Sequence, residues 1–219
     1  MPKQDRARRT HEVLLDAAAG EFARHGYAGA NLERIAVHVG MTKGALYAHF
    51  PSKEALAAAL TTPFEQTWRT ILQQTDEAGG DALGALQCIA FSLARRLSVD
   101  IRFRAGLQLE SEEARARGEV PAVVGDMTRV AIRLARQAQQ RGELKSAYTP
   151  EALSSLLAAS TFGMYHTMSL HRLDTIPHEA RRIWQLLFSA PPRCPAGTTR
   201  TAGDAPGGVA RAAGSAEVG

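Results

Sequence analysis

The chain has 219 residues, 45% hydrophobic and 22% charged, with a formal net charge of +4 and a sequence pI near 9.4. That length suits one small head plus one larger domain, and mild basicity permits a nucleic-acid partner without establishing one. Cys88 and Cys194 lie far apart, which argues against a structural disulfide and for a reducing cytoplasm, and neither an apolar run of about 18 residues nor a leader with an apolar core is expected.

Lys3, Arg6, Arg8 and Arg9, offset only by Asp5, read as a basic arm ahead of the first helix. Such an arm can reach phosphates or a minor groove. The competing reading is a frayed, solvated terminus.

Residues 31–50 read as two short helices joined by a glycine turn. Asn31 is an N-cap, because its side-chain oxygen can accept a free backbone N–H of the first turn. Leu32, Ile35, Ala36 and Val39 recur at helical spacing and make one apolar face. Gly40 can take the left-handed conformation that ends a helix. Thr42 caps the second helix, and Pro51 stops it by disfavouring helical geometry in the residue before it. Leu46 and Phe50 share its inward face. The spacing is that of a helix-turn-helix.

The outward residues of the second helix suit a phosphate-lined groove. Thr42, Lys43, Tyr47 and His49 can all donate to phosphate oxygens. Gly44 and Ala45 let the backbone approach closely, and Ala45 can touch a thymine methyl. Free N–H groups at the helix start favour an anion there. The plainer alternative is a short solvated helix beside a small core.

The remaining chain reads as all helix, with no alternating strand pattern. Helices are expected over 53–75, with Pro63 a candidate kink, then 81–97 with Asp81 as cap, 100–116 and 122–141, ending at Gly142. Thr149-Pro150-Glu151 marks a helix start, with an N-cap, proline at N1 and an acid in the first turn. That helix is expected to run to about 171, and a last one from about 177 to before Pro191. Residues 191–219 are rich in Gly, Ala and Pro with no aromatic, and read as a disordered tail.

Residues 5–60 resemble the DNA-binding domain of TetR-family transcriptional regulators. The matching pieces are LLDAAAGEF (14–22), Gly26-Tyr27, NLERIA (31–36), TKGALYAHF (42–50) and SKEAL (52–56). The resemblance implies an all-α fold, with a three-helix head over 1–52 and an effector-binding and dimerisation domain over 53–190. It implies a homodimer that reads a palindromic or pseudo-palindromic duplex through the helix at 42–49. The DNA-binding candidates are Arg8, Arg9, Asn31, Thr42, Lys43, Gly44, Ala45, Tyr47, His49 and Lys53. Lys43, Tyr47, His49 and Lys53 match positions that usually contact the DNA backbone.

The helix from 150 is apolar on more than one face, so it is expected to be buried on several sides. With the last helix it supplies the interface candidates Leu156, Ala159, Gly163, Ile183, Trp184 and Leu187, whose alternative role is intramolecular core. The middle helices are expected to enclose an effector pocket. Its candidates are Leu86, Ile89, Phe103, Leu107, Gln108, Met127, Thr128, Phe162, Tyr165 and His166, since a pocket needs a few polar groups among apolar ones.

Lys3-Gln4-x-Arg6-Ala7, TKGALY (42–47), Ala105-Gly106-Leu107 with Glu110, RGEL (141–144) and Trp184 ahead of a proline resemble gamma-butyrolactone autoregulator receptors. Those receptors carry a pocket tryptophan after a proline-containing loop, and residues 119–130 here (EVPAVVGDMTRV) have none. The effector is therefore left open among a butyrolactone-type signal, an antibiotic and a pathway intermediate. His166 and His171, five apart, are poorly spaced for a metal, and no phosphate-binding glycine loop, HExxH or Gly-x-Ser-x-Gly is present. No catalytic residue, metal or cofactor is expected. The reading is a repressor released from its operator by a small molecule and controlling secondary metabolism or export. A regulator without an effector, and a small helical enzyme or scaffold, are the alternatives.

Overall fold

A computed structural model describes residues 2–77, 81–145, 149–167 and 175–188. They form nine α-helices and no strand: α1 (Pro2–Gly29), α2 (Leu32–His38), α3 (Lys43–His49), α4 (Lys53–Glu77), α5 (Ala82–Val99), α6 (Ile101–Ala116), α7 (Ala122–Gln140), α8 (Pro150–Thr167) and α9 (Ile176–Phe188). The expected tail at 191–219 lies outside the described residues, as does the end of the helix expected to reach 171.

The first helix differs from expectation. It begins at Pro2, so Arg6, Arg8 and Arg9 sit on its opening turns and not on an extended arm. Asp5 in the first turn opposes the positive end of the helix dipole. Helical dihedrals fail at Gly26, where φ is +65° and ψ is −176°, and the chain then turns toward α2. Only glycine takes that conformation without strain.

Two apolar clusters organise the chain. The head cluster joins Leu14, Ala18 and Phe22 of α1 to Leu32 and Ile35 of α2 and to Leu46 and Phe50. Residues past 52 complete it, namely Leu56 and Leu60 of α4 and Ala105 and Leu109 of α6. The body cluster takes Phe64 and Trp68 from α4, Leu86, Ile89, Leu93 and Leu97 from α5, and Phe103 and Leu107 from α6. Met127 and Leu134 of α7, Leu153 and Leu157 of α8 and Trp184 of α9 close it. α4 serves the head with its first turns and the body with later ones. α6 serves both at once, because positions 105 and 109 share one face while 103 and 107 share another.

Close backbone approach locks these two helices together. A Cβ on Gly106 would collide with Phe64 and come within 2.9 Å of the Leu60 carbonyl oxygen. α4 continues as helix through Pro63 although that residue donates no backbone hydrogen bond. α5 is long enough and apolar enough on average to cross a membrane, although Gln87, Arg95 and Arg96 interrupt it, so it is not the unbroken apolar run that the sequence was expected to lack. Its Leu86, Ile89, Leu93 and Leu97 are instead buried in the body core.

Candidate nucleic-acid interface and cavity

Local hydrogen bonds build the head's outer face. The Asn31 side chain accepts from the backbone N–H of Glu33 at 2.8 Å and of Arg34 at 3.4 Å. The Asn31 backbone N–H donates to Glu21 at 2.9 Å, and Arg34 Nε donates to the same carboxylate at 2.8 Å. Burial pushes the Glu21 carboxyl up, but Arg34 and the Asn31 N–H outweigh it and hold Glu21 below its usual value. Asn31 thus orients α2, and its oxygen is committed to the cap.

Gly40, at φ +70°, makes the turn. Thr42 then caps α3 by accepting from the Ala45 N–H at 3.2 Å. Leu46 is fully buried and Phe50 nearly so, which fixes the rotation of α3 and turns its opposite side outward. Lys43 and Gly44 are exposed, Ala45 and His49 are half-buried, and Tyr47 is 41% exposed. A Cβ at Gly44 would meet open space, so this glycine leaves bare backbone on the outer surface.

α1 contributes to the same side. Its Asp5, Ala7, Arg8 and His11 border a cleft of about 560 Å³ that His49 of α3 closes. His11 stacks on Phe50 with ring centroids 4.6 Å apart and lies 6.4 Å from the His49 ring. Sequence reasoning missed His11. Its signal was the three-residue spacing from Arg8, which puts the two on one face once the helix is known to start at Pro2. Arg8 and Arg9 are exposed, and Arg8 lies 3.9 Å from Asp5.

Lys53 is placed differently from the other candidates. Its Nζ donates to the carbonyl oxygens of Ala30 at 2.7 Å and Ala28 at 3.4 Å, and sits 4.9 Å over the Tyr27 ring. It ties the start of α4 to the α1–α2 turn, with two of its three donors already used.

In the body, a cavity of about 340 Å³ opens between α6, α7 and α8. α6 contributes Leu107, Gln108, Ser111 and Arg115; Pro121 and Val124 come next; α8 contributes Ala158, Ala159, Phe162 and Tyr165. Leu107, Gln108, Phe162 and Tyr165 are therefore brought together as expected. Leu86, Ile89, Phe103 and Met127 do not line this cavity, and each is buried in the body core. Thr128 lies off the cavity, and its carbonyl accepts from Ser154 Oγ at 3.2 Å. The His166 side chain is outside the described residues.

Gln108 Nε2 donates to Glu112 at 2.5 Å, and Arg115 Nε donates to the Ser111 carbonyl at 3.0 Å. Burial pushes the Tyr165 phenol up, opposed by the nearby Arg104. Arg104 in turn donates to the carbonyls of Leu97 and Ser98 at the end of α5. No group of three or more His, Cys, Asp or Glu side chains suited to a metal occurs among the described residues.

The interface candidates also divide. Trp184 is 3% exposed and meets Phe91 edge-on at 6.1 Å, so it belongs to the body core and not to a free surface. Ala159 lines the cavity and is exposed. Leu156 is 44% exposed, Gly163 and Ile183 are half-buried, and the Leu187 side chain lies outside the described residues. Leu186, which was not among the candidates, is 81% exposed. Its neighbours Trp184 and Leu187 drew attention through size and apolarity, which say nothing about which side of α9 faces inward.

The model of the bacterial regulatory proteins of the tetR family matches residues 14–60. The chain is 34% identical over 164 residues to the A-factor receptor protein of Streptomyces griseus, across 75% of this chain and 56% of that one. It thus spans little more than half the length of that relative. A structure solved for the molecular basis of antibiotic-production control by bacterial hormones is 32% identical, with 83% and 96% of the two chains covered and a TM-score of 0.61. A gamma-butyrolactone receptor described as ArpA-like is 28% identical (83% and 87% covered, TM-score 0.66). CprB of Streptomyces coelicolor, solved with its operator sequence, is 29% identical (83% and 88% covered, TM-score 0.67). These relatives are regulators and not enzymes, and TetR regulators bind operator DNA as homodimers. With a capped α3 whose polar side faces outward and a helical body behind it, the chain belongs to the TetR family of bacterial transcriptional regulators, related within it to the gamma-butyrolactone receptors.

Proposed function

We propose that this chain is a homodimeric, operator-binding repressor of the cytoplasm, released from DNA by a small molecule held between α6, α7 and α8. The observation that carries the DNA-binding half is the fixed rotation of α3. Leu46 is locked inward, so Lys43, Tyr47 and the bare backbone at Gly44 face outward together. Two such heads related by a two-fold axis can read two half-sites of a palindrome. Lys43, Tyr47 and His49 serve as phosphate contacts, and Arg8 and Arg9 supply further positive charge beside them. Asn31 and Lys53 act mainly by orienting α2 and the α1–α2 turn.

The cavity supports the effector half. Its volume of about 340 Å³ falls within the range of small-molecule sites, roughly 300–1,000 Å³. Its walls are apolar apart from Gln108, Ser111, Arg115 and Tyr165, a composition that suits an apolar body with one polar head. A butyrolactone-type signal, an antibiotic and a pathway intermediate all fit that description. The similarity to a structure solved for control of antibiotic production supports secondary metabolism or export as the process it regulates. By linkage, an effector that weakens operator binding must itself be weakened equally by the operator.

The test is binding to the duplex upstream of the protein's own gene across a salt series. Sequence-preferring binding is expected, and Lys43→Ala should reduce the salt dependence by about one unit if Lys43 contacts a phosphate. Binding with no sequence preference at physiological salt would remove the regulator reading. Calorimetry against lactones and antibiotics separates a regulated repressor from one that binds DNA without an effector. Equal affinity of a ligand for free and operator-bound protein would rule out release by that ligand.

A further inference from the structure

α6 carries side chains that reach both the cavity and the turn that sets the head. Gln108 lines the cavity and donates from Nε2 to Glu112 Oε1 at 2.5 Å. The other Glu112 oxygen accepts the backbone N–H of Tyr27 at 2.6 Å, across 85 residues of sequence. Tyr27 follows Gly26, whose positive φ kinks the chain near the end of α1. A Cβ at Gly26 would collide with the Glu112 carboxylate, so that carboxylate fills the notch the glycine leaves. From Tyr27 the contacts continue into α4: its hydroxyl donates to Glu54 at 2.7 Å, and Lys53 sits over its ring.

One carboxylate therefore holds two donors, one from the cavity wall and one from the head. A carboxylate accepting a backbone N–H makes a charge-assisted bond, stronger than a neutral one and geometrically demanding. Gln108 keeps that carboxylate in place. A molecule that entered with a carbonyl or carboxylate beside Gln108 would compete for the same amide N–H groups. Glu112 would then be held at one end only.

We propose that Gln108 and Glu112 form a relay through which an acceptor-bearing small molecule, its apolar body against Leu107, Val124 and Phe162, loosens the Gly26–Tyr27 turn and with it the setting of the head. Gln108 and Glu112 are positioning residues in this scheme. The relay rests on the effector reading of the cavity, but its test needs neither DNA nor an effector.

The measurement is amide hydrogen exchange at Tyr27 in the full chain, with Leu46 and Leu93 as reporters of the head and body cores. Glu112→Ala should speed exchange at Tyr27 by about tenfold or more, and Gln108→Leu by a smaller factor. Gln108→Glu, which places an acceptor where the ligand's would lie, should exceed Gln108→Leu. Leu46 and Leu93 should exchange as in the wild type in all three. If Glu112→Ala also exposes Leu46, the two Gln108 variants carry the test, since they leave Glu112 and the Tyr27 N–H chemically intact. Wild-type exchange at Tyr27 in both Gln108 variants would overturn the relay and leave Glu112 a local latch. Failure of operator binding in the wild-type chain would sink the regulator reading and would not touch this result.

Discussion

The head and the body use the same element, an amphipathic helix, but commit their polar groups differently. In the head the polar groups that cap and brace the helices are tied within their own neighbourhood, while Lys43 and Tyr47 are left exposed on the outer side of α3. Asn31 and Thr42 cap helices, Glu21 holds Arg34, and Lys53 holds two carbonyls. In the body, Gln108, Ser111, Arg115 and Tyr165 line the cavity, with Gln108 and Arg115 bonded along α6 beside it. The contrast separates two jobs. A surface that must match a duplex gains from rigidity, because ordering it beforehand lowers the cost of binding. A site that must change state gains from polar groups that a ligand can recruit.

Substitutions can break this contrast. The largest effect is expected from Trp184→Ala. Because the indole is buried against Phe91, the body should lose about 3–5 kcal/mol in chemical denaturation. Unchanged stability with loss of the dimer would instead restore Trp184 to the interface. Next comes Tyr47→Ala, with at least about tenfold weaker operator binding, or roughly 1.4 kcal/mol. Head stability should change by less than about 1 kcal/mol, since Tyr47 lies outside the head core. Unfolding of the head by this change would show that Tyr47 is core. Asn31→Ala removes a cap and should destabilise the head by about 1 kcal/mol, read from its unfolding midpoint.

The smallest expected effect is on acid stability. The Tyr27 hydroxyl, followed by Ser52, lowers the Glu54 carboxyl from 4.5 to about 2. The same bond raises the Tyr27 phenol. With the folded value below the unfolded one, the stabilisation is complete above about 4.5 and drains as pH falls toward 2. Glu54→Gln should therefore flatten the thermal midpoint across that window. An identical acid slope in the variant would mean the Tyr27–Glu54 bond does not hold in solution.

The head's helices were legible residue by residue. Asn31, Gly40, Thr42 and Pro51 punctuate a 20-residue stretch, and each acts on backbone within four residues of itself. The body helices were legible for the same reason. Asp81 and Thr149-Pro150 marked starts, and the expected 81–97 and 122–141 fall close to Ala82–Val99 and Ala122–Gln140. The start of α1 was not legible, because a run of arginines is compatible with helix and with a free arm alike. Four of the ten pocket candidates were not legible either. Leu86, Ile89, Phe103 and Met127 sit on apolar faces, and periodicity reveals that a face is apolar without revealing what covers it.

From the sequence alone followed the helical class, the capped helix-turn-helix and the inward turn of Leu46, since all of these depend on neighbours along the chain. The tertiary structure decided the rest. It put Trp184 in the core, turned Lys53 onto the Ala28 and Ala30 carbonyls, opened the cavity between α6 and α8, and set Glu112 against Tyr27 across 85 residues. A cap is written into a few adjacent residues. A contact between distant helices depends on how whole faces pack, and many sequences with the same periodicity would pack them otherwise.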